Sequence, residues 1–256
     1  MSYKILSVQR KGNVIVISMM EQDDIEQRAR LSNELTDLCE EITLDEKIRV
    51  IVITGTGEKS FSIEADWSKM ISRGDVEPWA RCGLIAEPIA KLDRPVIAAI
   101  HGDAVGQGLE LTLACDLRIA QETSRFGLPH IQTGLIPWDG GSQRLARLVG
   151  RGKALEMILT GEMIDAQEAY RIGLVSKVVS PDRLMEVAMN MADDMAAKGP
   201  IALRYAKETI CKGMDMILEQ GLRLEADLYC LLHSTGDRTE GIEAFRGKRA
   251  PKFEGK

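Results

Sequence analysis

The chain has 256 residues, of which 45% are hydrophobic and 28% charged, a composition typical of a globular protein with a sizeable core. Its net charge of -6 and its isoelectric point near 5.3 argue against broad binding to nucleic acids or anionic membranes. With three histidines, five scattered cysteines and no C-x-x-C pair, we expect no metal site and buried free thiols.

The first half of the chain alternates between short β-branched runs and a helical run. Four runs rich in Val and Ile predict strands, over residues 14–17, 49–54, 96–100 and 117–120. The second and third of these are apolar at odd and even positions alike, as expected of strands covered on both faces. Leucines and an isoleucine recur at three- and four-residue spacing over residues 29–42, which predicts an amphipathic helix. Alternating strands and helices indicate an α/β domain.

From about Ser180 the pattern changes to successive helices. They are predicted over residues 184–197, 200–212 and 214–232, with breaks at Gly199 and Gly213. We therefore expect two regions, an α/β core over residues 1–180 and a helical region over residues 181–256. No apolar run approaches the roughly 20 residues of a membrane span, and the first residues lack the apolar run of a signal peptide. The expectation is a cytoplasmic protein.

A glycine-rich turn follows the predicted strand at residues 96–100. Gly102, Gly106 and Gly108 lead directly into a predicted helix that contains Glu110. Such a turn leaves backbone N–H groups unpaired at the helix start, where they can hold a phosphate or an oxyanion that forms during a reaction. The alternative is an ordinary βα turn with surface charges.

Four blocks of sequence, in order, resemble motifs of the crotonase superfamily, also called the enoyl-CoA hydratase/isomerase family. They are FSIEAD at 61–66, HGDAVGQGLEL at 101–111 followed by CDLRIA at 115–120, FGLPHIQTGLIPWDGGSQR at 126–144, and AFRGKRAPKF at 244–253. The resemblance implies a crotonase-like α/β fold, a spiral of ββα units with a helical C-terminal region that packs subunits into homotrimers or hexamers. It also implies an acyl-CoA thioester substrate, with coenzyme A entering as part of the substrate and no separate cofactor.

In this family two backbone N–H groups bind the thioester oxygen as it becomes negative. The matching residues are Ala65 and Gln107, with Asp66 and Trp67 beside the substrate. Gln107 replaces the middle glycine of the motif. This replacement requires φ below zero at Gln107, because residues other than glycine avoid positive φ.

The tail block matches the part of the family that contacts coenzyme A. The resemblance assigns this contact to Phe245 and Lys248. The family's N-terminal adenine-contacting stretch is not recognisable, and an acid-rich segment over residues 20–31 takes its place.

The catalytic positions are partly conventional for the family. Glu110 matches the first catalytic glutamate, a general base or acid, although a helix N-terminal glutamate favoured by the dipole is the alternative. His130 replaces the second glutamate, and Asp139 follows nine residues later, as in 6-oxocamphor hydrolases, which cleave carbon–carbon bonds in β-diketones. A His–Asp pair is a sound general base, and the carboxylate would raise the pKa of His130 above about 6.5. Otherwise His130 is a spacer and Asp139 caps a turn.

The resemblance implies an acyl-CoA-transforming enzyme, above all an enoyl-CoA hydratase in which Glu110 and His130 share the water and proton roles. One alternative is a carbon–carbon hydrolase with His130 and Asp139 as its base. Another is a degenerate family member that only binds acyl-CoA. Trp138, which replaces a glycine of the motif, is expected to narrow the acyl pocket.

Overall fold

The computed structural model describes residues 3–20, 25–57, 60–62 and 83–256, which form two mainly parallel β-sheets with helices around them. The strands are β1 (Leu6–Lys11), β2 (Val14–Met19), β3 (Val50–Gly55), β4 (Ser60–Ser62), β5 (Val96–Ile100), β6 (Asp103–Val105), β7 (Leu117–Gln121), β8 (Arg125–Gly127), β9 (Ile164–Asp165) and β10 (Lys177–Val179). The helices are α1 (Ile25–Leu44), α2 (Ala86–Ala90), α3 (Gln107–Ala114), α4 (Gly141–Val149), α5 (Arg151–Thr160), α6 (Ala166–Arg171), α7 (Leu184–Ala196), α8 (Pro200–Gly213), α9 (Leu218–Leu232) and α10 (Gly236–Arg246). Two 3-10 helices lie at Pro129–Thr133 and Pro181–Arg183.

The larger sheet has the strand order β1-β2-β3-β5-β7-β10 and is antiparallel at the β1–β2 pair alone. The smaller sheet has the order β4-β6-β8-β9 and is antiparallel at β8–β9. The four strands predicted from Val and Ile enrichment are β2, β3, β5 and β7, so the predicted α/β class is confirmed. Strand β6 of the smaller sheet follows β5 of the larger sheet after two residues and ends at the glycine-rich turn, so both sheets help to position that turn.

Strands β3 and β5 are covered on both faces, as their sequences predict, and the structure shows the same for β2. Valines of β2 and β3 pack with alanines of α7 in one core cluster, and isoleucines of the same strands pack in the other cluster, which contains the buried face of α1. The two strands pair in register, so that Val14 lies beside Val50 and Ile15 beside Ile51. Strands β2 and β3 therefore present valines on the face that α7 covers and isoleucines on the face that α1 covers.

The tail helices divide between two environments. Helix α7 packs against β3, β5 and β7, through Leu184, Ala188 and Ala192. Helices α8 and α9 pack on each other and keep many apolar side chains exposed. Helix α9 begins at Leu218 rather than at residue 214, because Met214 and Met216 close a turn by hydrogen bonds back to Ile210 and Gly213.

Among the described residues, none of the helices has the combined length and apolar character that crossing a bilayer requires.

Candidate active site

The glycine-rich turn forms between β6 and α3. Gly106 has a φ of 57°, a left-handed value that glycine adopts without strain, and Gln107 is the first residue of α3. Lys248 is the sole residue other than glycine with positive φ in the described part of the chain, so the requirement for negative φ at Gln107 is confirmed. The backbone N–H of Gln107 therefore lies in the first helical turn, where helices leave N–H groups without internal partners.

Glu110 is fully buried, with no exposed surface. Its Oε1 accepts hydrogen bonds from the backbone N–H groups of Asp139 and Gly141, each at 2.8 Å. Gly141 is the first residue of α4, so this oxygen lies at a helix N-terminus. Its Oε2 has no hydrogen-bond partner among the described residues. One carboxylate oxygen is thus fixed, and the other is free to act on a ligand.

His130 lies in the 3-10 helix that follows β8 and is 1% exposed. Its Nε2 is 3.8 Å from Glu110 Oε2, too far for a direct hydrogen bond. Within the described ranges, neither ring nitrogen has a hydrogen-bond partner of good geometry. The free oxygen and the imidazole therefore lie side by side, and one water molecule placed beside them could contact both.

Burial moves the two pKa values in opposite directions, because it disfavours the charged form of each group. It raises the pKa of Glu110 to about 7, assisted by the charge of Asp139 and opposed by the N–H donors of Gly141 and Asp139 and by Arg144. It lowers the pKa of His130 to about 4, against a weaker opposing effect of the Leu128 backbone. At neutral pH the contact between Glu110 and His130 is therefore not an ion pair, since the imidazole is neutral.

The expected His130–Asp139 pair is not formed. Asp139 is buried, and its Oδ2 accepts hydrogen bonds from the backbone N–H groups of Ile85 (2.8 Å) and Ala86 (2.9 Å) at the start of α2. The expected rise in the pKa of His130 is wrong for the same reason, since no carboxylate hydrogen-bonds to the ring. Asp139 caps a helix, which is close to the alternative that assigned it to a turn.

The Gln107 side chain joins this network. Its Nε2 donates hydrogen bonds to the Gly83 carbonyl oxygen (3.0 Å) and to Asp139 Oδ2 (3.3 Å). Burial raises the pKa of Asp139, and the hydrogen bonds from Ala86, Ile85 and Gln107 oppose that rise.

Sequence reasoning missed the part played by the loop before α4. The N–H groups that fix Glu110 come from Asp139 and Gly141, and a Cβ at Gly141 would lie 2.8 Å from Glu110 Cγ and Oε1. Arg144 donates a hydrogen bond from its guanidinium to the Asp139 carbonyl oxygen at 2.8 Å and so holds the loop. The pair Gly140–Gly141 at the start of α4 could have indicated this contact from the sequence, because successive glycines allow the backbone to approach another group closely.

The other predicted residues are placed as follows. Ala65, Asp66 and Trp67 lie outside the described residues. Trp138 is partly buried, and its Nε1 has no partner among the side chains and backbone that are described. Phe245 is 86% exposed and Lys248 is exposed, both at the end of α10. In the described ranges no group of three His, Cys, Asp or Glu side chains could hold a metal ion.

Comparison with known proteins gives consistent results. The enoyl-CoA hydratase/isomerase family profile matches residues 9–256. A protein named "Probable enoyl-CoA hydratase" from Rhizobium meliloti is 41% identical over 99% of both chains, and the short-chain-enoyl-CoA hydratase of Clostridium acetobutylicum is 38% identical over 87% of this chain and 85% of its own. The crystal structure of an enoyl-CoA hydratase from Bacillus anthracis superposes with a TM-score of 0.87 at 39% identity, covering 99% of this chain and 100% of that one.

Proposed function

The chain belongs to the enoyl-CoA hydratase/isomerase family, and on this basis we propose that it is an enoyl-CoA hydratase. The observation that carries the proposal is the buried Glu110 carboxylate. Its Oε1 is fixed by two N–H groups, and its free Oε2 lies 3.8 Å from the neutral His130 ring. The two atoms are too far apart for a direct hydrogen bond but close enough for one water molecule beside them to contact both. The crotonase-type fold and the hydratase relatives support the same assignment.

The proposed reaction adds water across the Cα=Cβ bond of an enoyl-CoA thioester. Glu110 Oε2 takes a proton from the bridging water, whose oxygen bonds to Cβ while the double-bond electrons move toward the thioester oxygen. The backbone N–H groups of Gln107 and Ala65 bind the resulting enolate oxygen. Glu110 then returns the proton to Cα, so the net change is the addition of one water.

His130 takes the place of a second carboxylate in this scheme. A neutral imidazole has one N–H donor and one acceptor nitrogen, so it can orient the water without holding a charge. With a pKa of about 4 it stays neutral through the reaction at neutral pH. The carbon–carbon hydrolase alternative depended on a His130–Asp139 base, and no contact in the described structure favours it.

The remaining assignments follow from the family. We propose that Phe245 and Lys248 contact coenzyme A, with Asp66 and Trp67 beside the acyl end. We also propose a homotrimer or hexamer, supported by the exposed apolar side chains of α8 and α9. Of the four described cysteines, Cys39 and Cys115 are buried and Cys211 and Cys230 are exposed, so the expectation of buried thiols is wrong for the last two. All four are free thiols, which suits a reducing compartment, and we propose the cytoplasm.

The test is steady-state hydration of crotonyl-CoA, run beside a cyclic β-diketone. The parent protein should hydrate the thioester and leave the diketone intact. Glu110→Gln should lower kcat by about 10²–10⁴-fold, the usual worth of a general base. Glu162→Gln, at an exposed glutamate far along the chain, is the matched control and should retain activity.

The pH profile separates the roles of Glu110 and His130. A base with a pKa of about 7 must lose its proton to act, so kcat/KM should rise with pH through about 7. His130→Ala should lower the rate and leave that midpoint in place, because the ring is already neutral there. A midpoint that disappears in His130→Ala would contradict this assignment, and diketone cleavage by the parent would favour the hydrolase.

A further inference from the structure

Asp139 connects four parts of the site. Its backbone N–H donates to Glu110 Oε1, and its carbonyl oxygen accepts from Arg144. Its carboxylate accepts from the first N–H groups of α2 and from the Gln107 side chain. The residue is 3% exposed, so these contacts form in a nearly dry environment where hydrogen bonds to a carboxylate are strong.

The Gln107 side chain holds the same region from the other side. Its amide reaches both the Gly83 carbonyl oxygen and Asp139. The adjoining Leu84 carbonyl oxygen accepts a hydrogen bond from Ser32 Oγ of α1 at 2.8 Å. Residues 83–86 are therefore fixed between α1 and the Gln107–Asp139 contact.

The stability of the fold alone does not explain why residue 139 carries a buried carboxylate. Burial costs free energy that hydrogen bonds only partly return, and an apolar residue of similar volume is often as stable. What the carboxylate adds is geometry. Asp139 accepts a hydrogen bond from the Gln107 side chain and donates one from its backbone to Glu110, so it links Gln107 to the loop that fixes Glu110.

We propose that Asp139 and the Gln107 side chain are a pair of positioning residues, which hold the oxyanion-binding N–H of Gln107 in register with the Glu110 carboxylate. The inference rests on the proposed function. In this proposal Asp139 positions the site and is not a catalytic partner of His130. The side chain of Gln107, which replaces a glycine of the family motif, also positions the site.

The pair has a measurable electrostatic consequence. The described groups whose charges act on Glu110 are Asp139, which raises its pKa, and Arg144, which lowers it, while the facing His130 is neutral. Asp139→Asn removes the negative charge and keeps the backbone N–H. The acidic limb of the kcat/KM profile should therefore move to lower pH in Asp139→Asn, a shift that loss of stability alone does not produce.

The experiment is a double-mutant cycle of Asp139→Ala and Gln107→Ala, with crotonyl-CoA as substrate. Asp139→Ala removes the acceptor oxygen, which the amide of Asp139→Asn would retain. Gln107→Ala keeps the backbone N–H and removes the amide. Each single variant should lower kcat about 10–100-fold with little change in KM, because misplacement of a fixed group acts on the transition state. The double variant should lose clearly less activity than the product of the two single losses, because the two side chains share the Gln107–Asp139 contact. Asp165→Asn, at the helix cap of α6, is the matched control and should keep the parent kcat.

Several outcomes overturn the inference. Multiplicative losses in the double variant, or an acidic limb that stays in place in Asp139→Asn, would contradict the proposed pair. If Asp139→Ala fails to fold, Gln107→Ala decides alone, and a parent-like kcat would count against the proposal. A parent with no turnover would overturn the proposed function, and this inference would fall with it. An active parent with independent variants would overturn the inference alone.

Discussion

Glu110 combines catalytic placement with a cost in stability. Its pKa is about 7 in the folded protein against an ordinary 4.5, so the folded state holds the proton more tightly than the unfolded chain does. Because the native state then binds more protons, this contribution to stability falls as pH rises from about 4.5 to about 7. His130 acts in the other direction, since its pKa falls from 6.5 to about 4 and its contribution is lost as pH falls through that range. Stability should therefore be greatest in mildly acidic solution.

Replacement of the carboxylate should stabilise the protein while it removes activity. We expect Glu110→Gln to raise the free energy of unfolding at pH 8 by about 3 kcal/mol at most, from 1.36 kcal/mol per pKa unit. Denaturant unfolding at pH 8 measures the gain. At pH 4.5, where the glutamate is already protonated, the two proteins should unfold alike. An equal gain at both pH values would show that something other than this charge is responsible.

Gly141 must be a glycine because it lies against the Glu110 side chain. A Cβ there would lie 2.8 Å from Glu110 Cγ and Oε1 and 3.0 Å from Pro137 Cβ, so Gly141→Ala must displace the carboxylate. We expect kcat to fall about 100-fold, the typical cost of an ångström of misplacement. Gly152→Ala is the control, because no atom lies within 4 Å of its added carbon. Parent-like turnover of Gly141→Ala would mean that the position of Glu110 is unimportant.

At the scale of elements, the end of α10 carries a strained lysine. The Arg249 N–H bonds to the Ala244 carbonyl oxygen and the Lys248 N–H bonds to that of Phe245, which is the Schellman pattern. Lys248, with a φ of 50°, occupies the left-handed position that glycine usually takes. A costly conformation at a proposed coenzyme A contact suggests that the side chain is kept for binding.

Substitution of this lysine should separate stability from affinity. Lys248→Gly should stabilise the protein by about 1 kcal/mol, because glycine adopts positive φ without strain. The same variant should weaken coenzyme A binding in calorimetry, as should Lys248→Ala, which gains no stability. Undiminished affinity in both variants would remove Lys248 from the binding site.

The sequence predicted long elements better than short ones. The bounds of strands β2, β3, β5 and β7 and of helices α1 and α7 were predicted within a few residues, because the strands are enriched in Val and Ile and the helices repeat apolar side chains at helical spacing. The strands of the smaller sheet have two or three residues each, too few for a period to appear.

Within the site, local motifs singled out Glu110 and Gln107, and the structure brings both into contact with Asp139. The contacts of Asp139 could not be predicted, because they depend on the meeting of residues 54 positions apart in the chain. Motif spacing put His130 and Asp139 near each other, and only the fold shows that the carboxylate faces α2 instead.

At the scale of the whole molecule, the last helices leave a large apolar surface. Leu218 is 77% exposed on α9, and Ile210, Met214 and Ile217 are also mostly exposed. Exposed apolar area of this kind on a single chain marks an interaction surface. We expect light scattering at micromolar concentration to give three or six times the chain mass of 28.3 kDa.

A charge on this surface should shift the assembly. Leu218→Asp should lower the measured mass, while Leu44→Asp, at an equally exposed leucine of α1, should leave it unchanged. A parent that scatters as a monomer would refute the expected assembly.

The in-register valines and isoleucines of β2 and β3 carry information that hydropathy plots cannot detect. Both strands read Val-Ile-Val-Ile, so a slip by one residue, which turns every side chain to the other face, leaves the apolar pattern unchanged. What distinguishes the faces is one methylene per residue, with the smaller side chain directed toward the alanines of α7. Within these four residues of each strand, volume alone distinguishes the two faces, and polarity distinguishes them only further along, at Ser18 and Met19 of β2.

Exchange of all eight residues, Val for Ile and Ile for Val, preserves composition, charge and hydropathy. It should nevertheless overfill one face and leave voids on the other, at about 1 kcal/mol for each position. A thermal unfolding midpoint equal to the parent's would show that the stability of this core depends on the apolar pattern and not on side-chain size. The expected large fall in the unfolding midpoint would show that the fit of side-chain volumes is required.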